Sequence, residues 1–229
     1  TKKQVLIANY PFATIDPNVG VVLVPDERVD KLAELSKSEK KIYATVEFVD
    51  IAGLVRGASE GEGLGNKFLA NIRETDAILY VLRAFKNPDI INTLTTQAGQ
   101  QEVNPLKEKE ILDVELILRD LETVNKRIEG LSGDLKVGKK ESVKEAEILK
   151  KAKELLEQGK VLIDQEFSED EAVILKNLQL LTFKPRLYLL NGKPDEAKEL
   201  ADVGHPLIYN GLIVDVASEY EAGDLKKEE

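Results

Sequence analysis

The sequence predicts an α/β protein: a mainly parallel sheet flanked by helices, carrying an inserted antiparallel helical hairpin of the coiled-coil kind. Three observations predict it. Strand-like apolar runs alternate with helical patterns toward both ends of the chain, the order that favours parallel strands joined by right-handed crossovers. The middle repeats apolar residues every three or four positions for far longer than a crossover needs. A glycine-rich stretch, "IAGLVRGASEGEGLGNKF", follows a strand that ends at Asp50, as expected where a loop leaves the carboxyl edge of a sheet.

The elements follow in order. Val19 to Val24 is a strand-like run closed by Pro25, and Asp26 is placed to cap a helix with apolar positions Val29, Leu32, Ala33 and Leu35. Ile42, Ala44, Val46 and Phe48 alternate with their neighbours up to Asp50 and read as a strand. "NKFLANIRETD" reads as helix. "AILYVLRAF" is a continuous apolar run, the pattern of a strand buried on both faces. From Pro105 to Leu131 a helical stripe runs through Ile111, Val114, Leu118, Leu121, Val124 and Ile128. Gly130, Gly133 and Gly138 interrupt it, and a second stripe follows at Val143, Ala146, Leu149, Ala152 and Leu156. A short helix from Glu169 to Leu181 leads back to strands at Arg186–Leu190 and Leu212–Val216. The chain therefore divides into 1–104, a first part of the α/β domain; 105–182, the hairpin insert; and 183–229, the last part of that domain.

Composition narrows the classes. The 229 residues are 42% hydrophobic, enough for a sizeable core, and carry a net charge of −10, which argues against a broad basic surface for nucleic acid. There is no Cys, so disulfides and thiolate-held metals are excluded. No apolar run is long enough to span a bilayer and no secretory signal pattern opens the chain. A cytoplasmic protein with no membrane partner is expected.

In parallel sheets ligands sit beyond the carboxyl ends of the strands. Asp50 and Asn191 occupy two such ends. "DIAG" places a carboxylate that can hold Mg²⁺ through water three residues before Gly53, whose N–H can approach a terminal phosphate with no Cβ in the way. Alone, this tetrapeptide is equally a tight turn.

The surroundings decide between these. "ANYPFATIDPNVGVVLVPDERVDKLAEL" and "DIAGLVRGASEGEGLGNKFLANIRETDAILYVLRAF" resemble the first and second switch regions of the Obg-like GTPases, and most closely those of the YchF, or Obg-like ATPase, family. The hairpin and "TFKPRLYLLN" are similar to that family too, so the resemblance covers nearly the whole chain. It implies a P-loop NTPase-like fold and a nucleotide switch that binds and slowly hydrolyses ATP or GTP with Mg²⁺ in association with the ribosome. By that resemblance Thr14 is the switch threonine meeting the metal and the terminal phosphate, and Asp50 is the second metal residue. Gly53 meets the phosphate, and Asn191, Gly192, Ala217 and Ser218 meet the base.

The departures from the family pattern are specific. No G-x-x-x-x-G-K-[ST] occurs in the sequence; the family places that loop immediately ahead of the first switch, so it is expected before Thr1. Without the loop triphosphate binding is expected to be poor, and a non-hydrolysing scaffold derived from a nucleotide domain is the rival reading. The family's closing TGS module lies outside residues 1–229. Leu54 follows Gly53 where Ras-like enzymes carry a water-orienting Gln, and a hydrophobic residue there is what the Obg-like family shows, so the water needs another positioner. Asn92 stands at the position of the family's loop His, and His205, the one His of the chain, reads as a turn residue beside Pro206; no side chain is assigned as catalytic. The family's N-x-x-E goes with ATP, against the N-K-x-D of standard GTPases; "NGKPDE" puts Pro194 where either acid belongs, so the mild preference for ATP over GTP rests on the resemblance. Lys136, Lys139 and Lys140 lie at the turn between the long helices. Such a run is first of all solvated surface; its functional reading is a phosphate-contacting tip for the ribosome or its RNA.

Overall fold

In the computed structural model the described residues are 18–50, 72–87, 103–201 and 211–225. They fall into two compact units, Thr1–Gly53 and Leu54–Glu229.

The first unit holds a β-hairpin and a helix. Strand β1 (Asn18–Leu23) pairs antiparallel with β2 (Thr45–Asp50), from Asn18 opposite Asp50 to Leu23 opposite Thr45. The antiparallel sense departs from the strand–helix–strand reading, which expects parallel neighbours. The connecting helix α1 (Glu27–Ser36) is a side excursion from a hairpin, not a crossover. Asp26 caps α1 as expected: its carboxylate accepts the Arg28 N–H at 2.9 Å and pairs with the Arg28 guanidinium at 2.7 Å. Strand β2 begins three residues later than the alternation suggests. Ile42 is exposed, and Tyr43 and Lys41 instead bond to Asp30 of α1. None of α1's residues is buried.

The second unit is built on three parallel strands in the order β3 (Ile78–Arg83), β4 (Arg186–Asn191), β5 (Leu212–Val214). The register sets Arg83 opposite Asn191 and Asn191 opposite Val214, so the three carboxyl ends are level. Tyr80 and Leu82 of β3 are buried, whereas Val81 on the opposite face is 56% exposed. The expectation of burial on both faces is therefore corrected for the described residues. Leu79 and Val81 lie opposite Leu187 and Leu189 on one face, and three of these four apolar side chains contribute to or border an uncovered surface.

Between β3 and β4 the chain makes α2 (Pro105–Gly130), α3 (Ser132–Lys136) and α4 (Lys140–Glu157), then α5 (Glu169–Asn177) flanked by 3-10 turns at Leu162–Asp164 and Leu181–Phe183. Asn104 caps α2 through the Lys107 N–H, with Pro105 at the first position, where a missing N–H costs nothing. Ser168 and Glu171 form a reciprocal capping box at α5. The predicted α4 stripe holds from its second position on: Ala146, Leu149, Ala152 and Leu156 are buried with Val124 of α2, Leu162, Leu175 and Phe183 in one cluster, whereas Val143 is exposed. Arg127 and Glu145 pair across the two helices at 2.6 Å.

The predicted α2 stripe holds in its second half, where Val124 is buried and Leu121 and Ile128 pack against the same cluster. In the first half it is displaced: Val114 and Leu118 are exposed, and Asp113, Leu116, Ile117 and Asp120 point inward. Polar demand explains the displacement. Asp113 accepts the Tyr80 hydroxyl at 2.9 Å and pairs with Lys109 and with Arg186 of β4. Asp120, fully buried, accepts the Leu181 N–H (2.9 Å), the Thr182 N–H (2.7 Å) and the Thr182 hydroxyl (2.7 Å). Burial pushes the Asp120 carboxyl up, and the Thr182 and Leu181 donors oppose that shift.

Replacing Asp120 with Ala strands three donors in a dry site, at about 1–3 kcal/mol for each unsatisfied group. We expect Asp120→Ala to lower unfolding stability by roughly 3 kcal/mol or more in urea titration followed by circular dichroism. A loss below about 1 kcal/mol would show that the turn finds other partners.

Candidate functional site

The level ends of β3, β4 and β5 form a ledge with three loops leaving it. Asn191 closes β4, and its backbone oxygen accepts the Ala84 N–H at 2.8 Å. Its side-chain Oδ1 accepts the Val216 N–H at 3.2 Å. Because that partner is a donor, the amide orientation is fixed: Oδ1 is occupied and the Nδ2 hydrogens are what Asn191 retains for a ligand.

Gly192 is next. Its N–H reaches the Val214 oxygen at 3.0 Å. A Cβ here would overlap the Ala84 carbonyl oxygen and come within 2.7 Å of the Ala84 carbonyl carbon. Glycine is therefore a steric requirement, independent of any ligand. Helix α6 (Pro194–Ala201) starts two residues later, with Pro194 first and Asp195 and Glu196 exposed in its opening turn.

The third loop leads from β5 into α7 (Val216–Leu225). Asp215 caps it: one carboxylate oxygen accepts the Ser218 hydroxyl at 2.7 Å and the other the Ser218 N–H at 3.2 Å. These bonds hold the Asp215 carboxyl below the usual carboxylate range, the hydroxyl contributing first. The sequence reading named Ala217 and Ser218 and passed over Asp215. An acidic residue three positions before a serine at a strand-to-helix junction is the signal for it.

Of the residues named from sequence, the structure brings Asn191, Gly192, Ala217 and Ser218 to one edge. Asp50 is the last residue of β2 in the other unit, with an exposed side chain. Thr14, Gly53, Leu54, Asn92 and His205 lie outside the described residues. Among the described residues no cluster of three acidic or His side chains is placed to hold a metal, and no helix is long and apolar enough to cross a membrane.

The hairpin turn is a separate feature. Lys136 ends α3, Gly138 takes a positive φ of 73° that a side chain would resist, and Lys139 and Lys140 follow; all three lysines are exposed. Lys139 lies 3.3 Å from Asp134. Lys136 and Lys140 have no ion-pair partner among the described residues. Val137 between them is 84% exposed.

Residues 1–121 match the family model described as 50S ribosome-binding GTPase. The ribosome-binding ATPase YchF of Bacillus subtilis is 50% identical over 192 residues, covering 84% of this chain and 51% of that protein. That of Escherichia coli O157:H7 is 44% identical over 195 residues, 85% of this chain and 52% of that protein. The chain thus spans about half the length of the curated relatives it matches. A solved structure, the Schizosaccharomyces pombe YchF GTPase, superposes with a TM-score of 0.67 at 34% identity, covering 93% of this chain and 59% of that one.

The Gly192 contact gives a direct test. Gly192→Ala is expected to destabilise the fold by about 1–3 kcal/mol, the usual cost of overpacking, read as a lower melting temperature. An unchanged melting curve would mean that the Ala84 peptide yields freely.

Proposed function

Because the chain belongs to the YchF family of Obg-like P-loop GTPases, we propose that it carries the nucleotide-handling part of a ribosome-associated switch. It binds and slowly hydrolyses ATP, in preference to GTP, with Mg²⁺. Residues 1–104 and 183–229 make the nucleotide domain in this reading, and 105–182 the hairpin insert. The observation that carries it is the Asn191 side chain, fixed by the Val216 N–H at 3.2 Å with its Nδ2 hydrogens left for a base.

The residues of this chain divide the work. Asn191 orients the base, and Gly192 lets the backbone approach it. Ala217 and Ser218 form the wall of the base site and not its donors, because Asp215 already takes the Ser218 N–H and hydroxyl. The preference for ATP is supported by membership of the YchF family, whose curated relatives are described as ribosome-binding ATPases; Pro194 begins α6 where a base-reading acid of either kind would stand, and Asp195 and Glu196 follow in the exposed first turn. Asp50 fits a hard cation: it is an exposed carboxylate at a strand end, an oxygen donor of the type Mg²⁺ takes directly or through water. Thr14 adds a hydroxyl and Gly53 an N–H toward the outer phosphate. Bound Mg²⁺ supplies neutralisation of charge on the phosphoryl oxygens.

Titration of the full-length gene product with fluorescent ATP and GTP analogues tests the reading. Saturable, Mg²⁺-dependent binding, tighter for ATP, is expected; no binding of either nucleotide would leave the scaffold alternative. Asp50→Asn should then cut Mg²⁺-dependent turnover roughly tenfold or more, and unchanged turnover would remove Asp50 from the site.

The hairpin turn is proposed as the ribosome-facing contact, through phosphate groups of its RNA. Replacing Lys136, Lys139 and Lys140 together with Ala should weaken ribosome binding and reduce its log–log salt slope by about 2. Binding that responds neither to salt nor to the triple substitution would exclude the turn.

A further inference from the structure

We infer that Arg83 is a positioning residue for the base-binding ledge, acting through the turn Ala84–Asn87. The inference rests on the nucleotide reading of that ledge. Arg83 is the last residue of β3, and three sets of contacts converge on it. Its guanidinium donates from Nε to the Phe85 oxygen at 3.0 Å and from Nη2 to the Asn87 oxygen at 2.9 Å. The same group lies over the Phe85 ring, 4.9 Å from its centre. Its backbone N–H donates to Glu108 Oε2 at 3.0 Å, and Glu108, in the first turn of α2, is only 4% exposed.

These contacts bind a turn that touches the ledge directly. The Ala84 N–H holds the Asn191 oxygen, and the Ala84 carbonyl sits against Gly192 with no room for a Cβ. One planar guanidinium that spans two carbonyls two residues apart fixes the tilt of the intervening peptides. If the tilt changes, the Ala84 oxygen moves and Gly192 must move with it, since no side chain pads the gap. Asn191 is displaced by the same shift, because its backbone is bonded to Ala84. Lysine carries the charge and a similar stem, but its single ammonium is a point donor without the rigid fork. Arg83→Lys is thus the discriminating substitution.

The experiment uses the full-length gene product with Arg83→Lys and Arg83→Ala. Affinities are measured for fluorescent ATP and GTP analogues, and for inorganic tripolyphosphate as a competitor that lacks a base. Circular dichroism and melting curves accompany them. Arg83→Lys is expected to weaken ATP binding roughly tenfold, about 1.4 kcal/mol, and to shrink the ATP-over-GTP preference, while tripolyphosphate competes as in the wild type. Unchanged ATP affinity and preference in Arg83→Lys would overturn the assignment. So would an equal weakening toward tripolyphosphate, which would mean a general effect on the fold. Should Arg83→Ala melt early, Arg83→Lys decides. If the wild-type protein binds neither nucleotide, the nucleotide reading falls and takes this inference with it; failure of the Arg83→Lys result alone removes only the role of Arg83.

Discussion

The second unit depends on one buried carboxylate. Strands β3 and β4 pair residue for residue, yet about a hundred residues separate Arg83 from Arg186. Closing a loop of that length costs on the order of 4 kcal/mol in chain entropy alone. The helices between them repack that segment, but they do not by themselves bring its end back to the sheet. Asp120 does so: from the middle of α2 it receives both N–H groups and the hydroxyl at the Leu181–Thr182 turn, four residues before β4 begins. An apolar contact there would leave the direction of the turn free. A carboxylate with three donors specifies it, because any other direction leaves buried polar groups unpaired.

A second polar link works at the opposite end of the strands from the ledge. Asp113 gathers Tyr80, Lys109 and Arg186, and Arg186 also reaches Asp164 in the turn after α4. Burial raises the Tyr80 hydroxyl well above its ordinary value, and the Asp113 charge adds to this, so Tyr80 stays a donor across the working pH range. Buried pairs of this kind contribute little net stability against an apolar replacement. Their effect is orientation. Asp113 and Asp120 lie seven residues apart, two turns of helix, and so share the α2 face that meets the sheet and the returning chain.

That same face explains what could be read from the sequence and what could not. The α4 stripe was legible because its inward positions are Ala and Leu, and the caps at Asp26, Asn104 and Ser168 follow from residue type beside a helical pattern. The α2 stripe was legible at Leu121, Val124 and Ile128, but its first half was misplaced because two inward positions there are aspartates, which a hydrophobic pattern assigns to solvent. The antiparallel β1–β2 pairing was missed since strand, helix and strand in succession look alike whether the helix crosses over or not. At the ledge, Asn191 and Gly192 were visible as polar residues ending an apolar run. Asp215 carried a capping signal three residues before Ser218 that was passed over, and Arg83 carried none, because its guanidinium acts through backbone oxygens of its neighbours and a sequence does not display backbone geometry. The metal-side residues Thr14 and Gly53 rest on resemblance to the family alone.

Under the proposed ribosome contact, an acidic chain that meets RNA must also solve a charge problem. With a net charge of −10, the body of the protein repels phosphate, and three lysines on its surface would act inside that field. The hairpin removes them from it. Beyond Asp120, where the returning chain is bonded, helix α2 runs ten more residues to Gly130, about 15 Å, or roughly twice the Debye length of about 8 Å at physiological ionic strength. There the lysines act mainly against local charge: Asp134, bonded to Lys139 and to the Ser142 hydroxyl, and the exposed Glu129 and Glu141. Lys136 and Lys140 flank the exposed Val137 and the positive-φ Gly138 in a turn whose path is set by the backbone. In that proposal the hairpin serves to carry a small lysine contact away from a protein whose overall charge opposes it.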